Sequence, residues 1–156
     1  MTDQIRIIVA YEYTLYREAI RKVLDSEQDI EIVAEASKPM EIRRVIRQTK
    51  AELLLLDMDM NDLDTPQVLS LIRRKNPGLG VLLFTMRYDE RRIVEAICAG
   101  SLGYILKSAS TSELIRSIRA LIGGEVWIQR KMMAKVISKF SSYIALNNPT
   151  LLSIEQ

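Results

Sequence analysis

Along the chain, short apolar runs alternate with longer segments in which apolar residues return every three or four positions. IRIIVA (5–10) is apolar and β-branched almost throughout, which predicts a strand covered on both faces. TLYREAIRKVLDS follows, with Leu15, Ala19, Val23 and Leu24 at helical spacing and Thr14 placed as an N-cap. IEIVAEA (30–36) reads as a strand, and PMEIRRVIRQTK (39–50) as a helix with Pro39 near its first turn. ELLLLD is the third strand. TPQVLSLIRRK is a helix closed by Asn76-Pro77-Gly78, and GVLLFT is the fourth strand. DERRIVEAICAG is a helix stopped by Gly100, and LGYILK is the fifth strand. STSELIRSIRALIGG is a helix stopped by Gly123-Gly124, with Ser110 and Glu113 at capping-box spacing.

Five strands alternating with five helices predict the α/β class: a doubly wound five-stranded parallel sheet with helices on both faces. We expect this domain to occupy residues 1–124. The tail, 125–156, differs. A C-terminal linker helix is expected from about Gln129, with Val136, Ile137, Phe140 and Ile144 on an apolar side. Its basic residues Arg130, Lys131, Lys135 and Lys139 have no acids between them, and are expected to be solvated and not to contact phosphate. Trp127, Met132 and Met133 are expected to pack. NNPT breaks the helix, and LLSIEQ reads as the opening of another element.

Composition narrows the function. The chain has 156 residues, 48% apolar and 27% charged, a globular profile. A net charge of +2 argues neither for nor against nucleic acid. The single cysteine, Cys98, allows no disulfide within the chain and reads as a small buried helix thiol, in keeping with a reducing compartment. There is no histidine, which excludes Ser-His-Asp and Cys-His catalysis, His-ligated zinc and histidine phosphotransfer on this chain. The N-terminus lacks a signal-peptide pattern and no run is long enough to span a bilayer, so a cytoplasmic location and no membrane partner are expected.

The stretch LLLLDMDM (53–60) raises the chemical question. A buried carboxylate is costly unless paired or coordinated, so Asp57 is either surfacing or in use. In open parallel sheets, ligands bind outside the carboxyl ends of the strands. Those ends carry Tyr11-Glu12, Asp57, Thr85 and Lys107. This inventory suits phosphoryl transfer to an acid: aspartate forms an aspartyl-phosphate, magnesium takes oxygen ligands, and lysine binds phosphate as a point charge.

Over residues 5–123 the chain resembles a response-regulator receiver domain, with the flavodoxin-like receiver fold. LLLLDMDM, VLLFTM, GSLGYILK and YREAIRKVL carry the resemblance through their order and places at strand ends. GYILK, a capped helix and GGEVWI most resemble receivers joined to LuxR-type helix-turn-helix DNA-binding domains. The resemblance implies a two-component signalling domain that takes a phosphoryl group from a sensor histidine kinase and controls an attached DNA-binding output domain. It is no enzyme beyond self-phosphorylation and self-dephosphorylation. Asp57 matches the phosphoacceptor, and Glu12 the position whose carboxylate touches Mg²⁺. Asp59 matches the position whose backbone carbonyl ligates the metal. Thr85 matches the switch hydroxyl, Lys107 the lysine that contacts the phosphoryl group, and Tyr104 the aromatic residue that rotates on activation. No recognition helix is present in these residues, so DNA is expected only through a C-terminal domain not in this chain. A homodimer is expected, through the first helix with 111–122, or through the 89–99 and 111–122 helices with the fifth strand.

Two departures qualify the resemblance. The family places two adjacent acids after the first strand, whereas Tyr11 here replaces the acid that acts through water. Magnesium demands near-ideal octahedral geometry, so weak binding is expected. Tyr11 itself reads as an apolar lid with a hydrogen-bonded hydroxyl. MNDLDTP also stands where the family usually has Pro-Gly and a later Gly, and Asp62 and Asp64 read as turn residues. Tyr11 is the support for an alternative: a pseudo-receiver acting through protein contacts with weak or no phosphorylation. A haloacid-dehalogenase-like phosphatase also uses an Asp followed by an acid two residues later. That family places its nucleophile after the first strand, and Asp57 follows the third.

Overall fold

In the computed structural model, which describes residues 4–147, β1 (Ile5–Ala10), β2 (Ile30–Ala36), β3 (Leu53–Asp57), β4 (Gly80–Thr85) and β5 (Gly103–Leu106) form one sheet. All neighbours are parallel, in the order β2-β1-β3-β4-β5. Helices α1 (Thr14–Asp25), α2 (Pro39–Gln48), α3 (Thr65–Lys75), α4 (Glu90–Ala99) and α5 (Thr111–Ile122) connect or follow the strands, and α6 (Arg130–Asn147) comes last. This is the doubly wound arrangement expected. The strand order reverses between β1 and β3, which opens a crevice at their carboxyl ends.

Alternation along each strand divides the core. Ile7, Val9, Leu53, Leu55, Leu82 and Phe84 pack with Ile20 and Leu24 of α1 and Leu114, Ile118 and Leu121 of α5. Ile8, Ala10, Leu54, Leu56, Leu83 and Tyr104 pack on the other face with residues of α2, α3 and α4. β3 is buried at all its positions, which explains the unbroken leucine run.

The first helix departs from expectation in two ways. Tyr13, not Thr14, is the N-cap, and no side chain caps the helix. Leu15 and Ala19 do not face the sheet, and Leu15 is 76% exposed. The buried pair is Ile20 and Leu24. Leu15 lies five residues before Ile20, about 140° around the helix, so one helix cannot turn both to the sheet.

The fifth helix is capped as its sequence predicts, and the third gains a cap from a residue expected only in a turn. The Ser110 hydroxyl accepts the Glu113 N–H at 3.1 Å, and Asp64 accepts the Gln67 N–H at 3.1 Å. Asp62 has φ 62, a left-handed turn conformation that Asp tolerates better than most residues. Both aspartates in the loop after Asp57 are thus turn or cap residues.

The segment after α5 covers the edge of the sheet. The Trp127 N–H donates to the Leu102 carbonyl at 3.0 Å, and the Tyr104 N–H donates to the Trp127 carbonyl at 3.2 Å. Gly103 permits this approach, because a Cβ there would lie 2.7 Å from the Trp127 carbonyl oxygen. Then α6 packs on α4. Met132 is buried, Lys135 pairs with Glu90, and Lys139 Nζ lies 3.6 Å from Glu95. Both lysines stay exposed while they pair, as do Arg130 and Lys131, so the basic face of α6 is solvated as expected, with two surface ion pairs to α4 added. The Cys98 thiol lies 3.9 Å from the Val136 carbonyl and burial pushes its pKa up, which suits packing and not redox work. The expected break at 148–150 and the further element at 151–156 lie outside the described residues, as does the side chain of Ile144. Among the described residues, no helix is long and apolar enough to cross a membrane.

Candidate functional site

The crevice at the carboxyl ends of the strands is lined by Glu12, Asp57, Asp59, Asn61, Met86 and Lys107, among others. Asp57 is 1% exposed. Pairing of β3 with β4 sets Asp57 opposite Phe84, one residue before Thr85. The Lys107 backbone N–H donates to the Thr85 carbonyl at 2.8 Å, which continues the β4–β5 ladder and aims the lysine into the crevice.

Lys107 is the centre of charge. Its Nζ lies 2.7 Å from Asp57 Oδ1 and 3.2 Å from Asp59 Oδ2, with only 7% of the side chain exposed. Burial alone would depress the ammonium pKa. Hydrogen bonds and charge from Asp57 and Asp59 outweigh it, and the pKa is raised above the ordinary lysine value. The Tyr11 and Tyr16 rings lie beneath the ammonium, with centroids 5.6 and 5.7 Å away.

Tyr11 belongs to the core. It is 2% exposed and packs edge-on against Phe84 with centroids 5.1 Å apart. Burial, and then the charges of Asp57 and Asp59, push its phenol pKa far up, so it stays neutral. Its burial among apolar side chains is as expected.

Asp57 is held from two loops. Oδ1 accepts the Asp59 N–H at 3.0 Å, and Oδ2 accepts the Glu12 N–H at 3.4 Å. Glu12 Oε1 in turn accepts the Asn61 N–H at 3.4 Å. The Asp59 side chain turns to the other wall. Its Oδ2 accepts the Met86 N–H at 2.6 Å, and its Oδ1 accepts the Thr85 hydroxyl at 3.3 Å. The same hydroxyl lies 3.0 Å from the Arg87 carbonyl, a second acceptor. Tyr104 is buried with its hydroxyl unpartnered among the described residues, and its ring lies 6.3 Å from that of Tyr88.

The oxygen donors suit a hard cation such as magnesium. Asp57 Oδ2 and the Glu12 carboxylate open onto the same crevice, and neither is a soft ligand. Among the described residues, no three acids, cysteines or histidines cluster closely enough to form a cage. That is compatible with magnesium, which keeps several waters and needs few carboxylates.

Some residues with a part in this geometry carry no sequence signal. Arg17 Nη1 donates to the Tyr11 and Glu12 carbonyls at 2.7 and 3.0 Å and so shapes the loop that presents Glu12. Arg92 donates to the Met58 carbonyl at 3.3 Å and approaches Asp59 at 4.0 Å. Each is an ordinary helix arginine in the sequence. Met86 contributes through its backbone, which no side-chain pattern reveals.

Comparison with known proteins agrees with the resemblance. Residues 7–119 match the response regulator receiver domain family. The uncharacterized transcriptional regulatory protein YhcZ of Bacillus subtilis is 29% identical over 85% of this chain and 62% of its own length. The oxygen regulatory protein NreC of Staphylococcus aureus is 28% identical over 88% of this chain and 64% of its own. The chain thus spans less than two thirds of these relatives. A LuxR-family two-component response regulator from Aurantimonas superimposes with a TM-score of 0.77, covering 88% of this chain and 98% of that one at 23% identity.

Proposed function

The chain belongs to the response-regulator receiver family, and from that premise we propose that it accepts a phosphoryl group on Asp57 from a sensor histidine kinase. The observation that carries this is Asp57 itself: a 1% exposed carboxylate ending the central strand, 2.7 Å from the Lys107 ammonium. An acid so placed is buried yet reachable, and its charge is compensated.

In the transfer, an Asp57 oxygen forms a bond to phosphorus while the phosphorus–nitrogen bond of the donor breaks. The electron pair stays on the donor's imidazole nitrogen. Lys107 neutralises charge on the phosphoryl oxygens, and the Thr85 hydroxyl and Met86 N–H donate hydrogen bonds to them. Glu12 and Asp57 would hold Mg²⁺ through carboxylate oxygens, with the Asp59 backbone carbonyl as a third ligand. The ion supplies charge compensation for the phosphoryl oxygens. Tyr11 occupies a place where the family has an acid, so this binding is weak. Thr85 senses the phosphoryl group, and Tyr104 follows it.

Relatives named as transcriptional regulatory proteins are longer than the matched stretch, which supports a longer regulator; we place its DNA-binding domain C-terminal to a receiver at 1–124, with 125–156 as the connection, and the whole in the cytoplasm. A homodimer is the expected transmitting form. One observation favours the pseudo-receiver alternative: Tyr11 is packed into the core and leaves Glu12 as the one acid on its loop.

Intact-mass measurement after incubation with a small phosphodonor and Mg²⁺ tests the proposal. One phosphoryl group should be gained by the chain and not by Asp57→Asn. No gain in either protein would favour the pseudo-receiver.

A further inference from the structure

Asp59 has more partners than a strand-end acid requires. Its Oδ2 takes the Met86 N–H at 2.6 Å and lies 3.2 Å from Lys107 Nζ. Its Oδ1 takes the Thr85 hydroxyl at 3.3 Å and faces Arg92 at 4.0 Å. The donors come from the end of β4, the end of β5 and α4, so both oxygens are gripped from three directions. A merely solvated acid would be free in water, but the Asp59 side chain is only 28% exposed. A simple ion pair would engage Lys107 alone, without a backbone amide and a buried hydroxyl.

The backbone sets this up. The Asp59 N–H donates to Asp57 Oδ1 at 3.0 Å, and the Met60 N–H donates to the Asp57 carbonyl at 3.3 Å. The turn folds the second carboxylate back beside the first. Lys107, Thr85 and the Met86 amide are the donors that face the Asp57 side of the crevice; Lys107 and the Met86 amide already have an anion, and the one Thr85 proton lies between Asp59 Oδ1 at 3.3 Å and the nearer Arg87 carbonyl at 3.0 Å.

We propose that the Asp59 carboxylate is a resident anion, tethered in the place of the phosphoryl oxygens, which occupies the Met86 amide and Lys107 without phosphate and competes with any anion that binds at Asp57. This rests on the receiver assignment of the crevice. It adds a regulatory consequence: Asp59 must swing out to water before a phosphoryl group can take over the Met86 amide and Lys107.

The test uses the 156-residue chain, with beryllofluoride and Mg²⁺ as the anion probe and the Met86 amide proton as an NMR reporter. Without added anion, the wild-type Met86 amide should be shifted downfield by its short bond to a carboxylate, and Asp59→Asn and Asp59→Ala should move it upfield. Both variants should bind beryllofluoride at least about tenfold more tightly, equivalent to about 1.4 kcal/mol. Asp62→Asn removes the same charge from the same loop without touching these donors, and should leave the affinity unchanged. A Met86 amide indifferent to Asp59, or an equal gain from Asp62→Asn, would overturn the proposal. If the amide moves but no protein binds beryllofluoride, Asp59 remains the resident anion and the phosphoacceptor assignment is what fails.

Discussion

Lys107 Nζ lies 2.7 Å from Asp57 Oδ1 in a position where the lysine side chain is 7% exposed and the aspartate 2%. Breaking such a pair from one side leaves a buried charge without its partner. Lys107→Met should therefore destabilise the fold by about 3 kcal/mol, the low end for buried pairs, because the crevice admits water. Urea unfolding at neutral pH would measure it. Asp57→Asn should cost less, because Asp59 remains as a partner for the ammonium.

The same pair sets a pH dependence. The lysine pKa is raised in the folded chain, so its stabilising effect is complete below the unfolded lysine value, about 10.4, and is lost as pH rises through the higher folded value. The stability difference between wild type and Lys107→Met should stay constant from pH 7 to 9 and shrink above pH ~10.4. A difference that already shrinks between pH 7 and 9 would contradict the direction of the shift.

Tyr11 links metal affinity to stability. Tyr11→Asp should tighten Mg²⁺ binding by adding a carboxylate to the crevice, as followed by Trp127 fluorescence or by NMR. It also removes a ring packed against Phe84 at 5.1 Å, so it should cost about 3 kcal/mol of stability. Equal magnesium affinity in both proteins would contradict this role for Tyr11.

Much of this was legible beforehand, and the misses have physical causes. β2, β4 and α3 fall at the predicted residues, because Gly, Pro and cap residues punctuate them. Asp57, Thr85 and Lys107 could be found because parallel strands put their last residues at one edge. Spacing cannot place Leu15, because α1 carries apolar residues on two faces and the pattern does not choose between them. The direction of the Asp59 side chain depends on a turn and on a backbone amide, and neither has a residue signature. The pairing of Lys135 and Lys139 with α4 depends on where a helix docks, which periodicity does not encode.

Docking of α6 also bears on assembly. Glu90 and Glu95 of α4 are engaged by α6, and residue 127 bridges the edge of β5, so α1 with α5 is the more open of the two candidate dimer faces. Leu15, 76% exposed, lies on α1. Sedimentation velocity should show concentration-dependent association that Leu15→Glu weakens and Glu90→Gln leaves unchanged. Thr85→Ala should still take up phosphate but should not change its association on doing so. A strict monomer at high concentration would refute the dimer.

The proposed phosphoacceptor, Asp57, has a second acid two residues away, so the site of modification has to be located. After reaction with a small phosphodonor and Mg²⁺, fragment mass mapping of the peptide spanning 53–60 should place one phosphoryl group on Asp57, with faster uptake in Asp59→Asn and none in Asp57→Asn. A label on Asp59, or uptake that survives Asp57→Asn, would contradict the assignment.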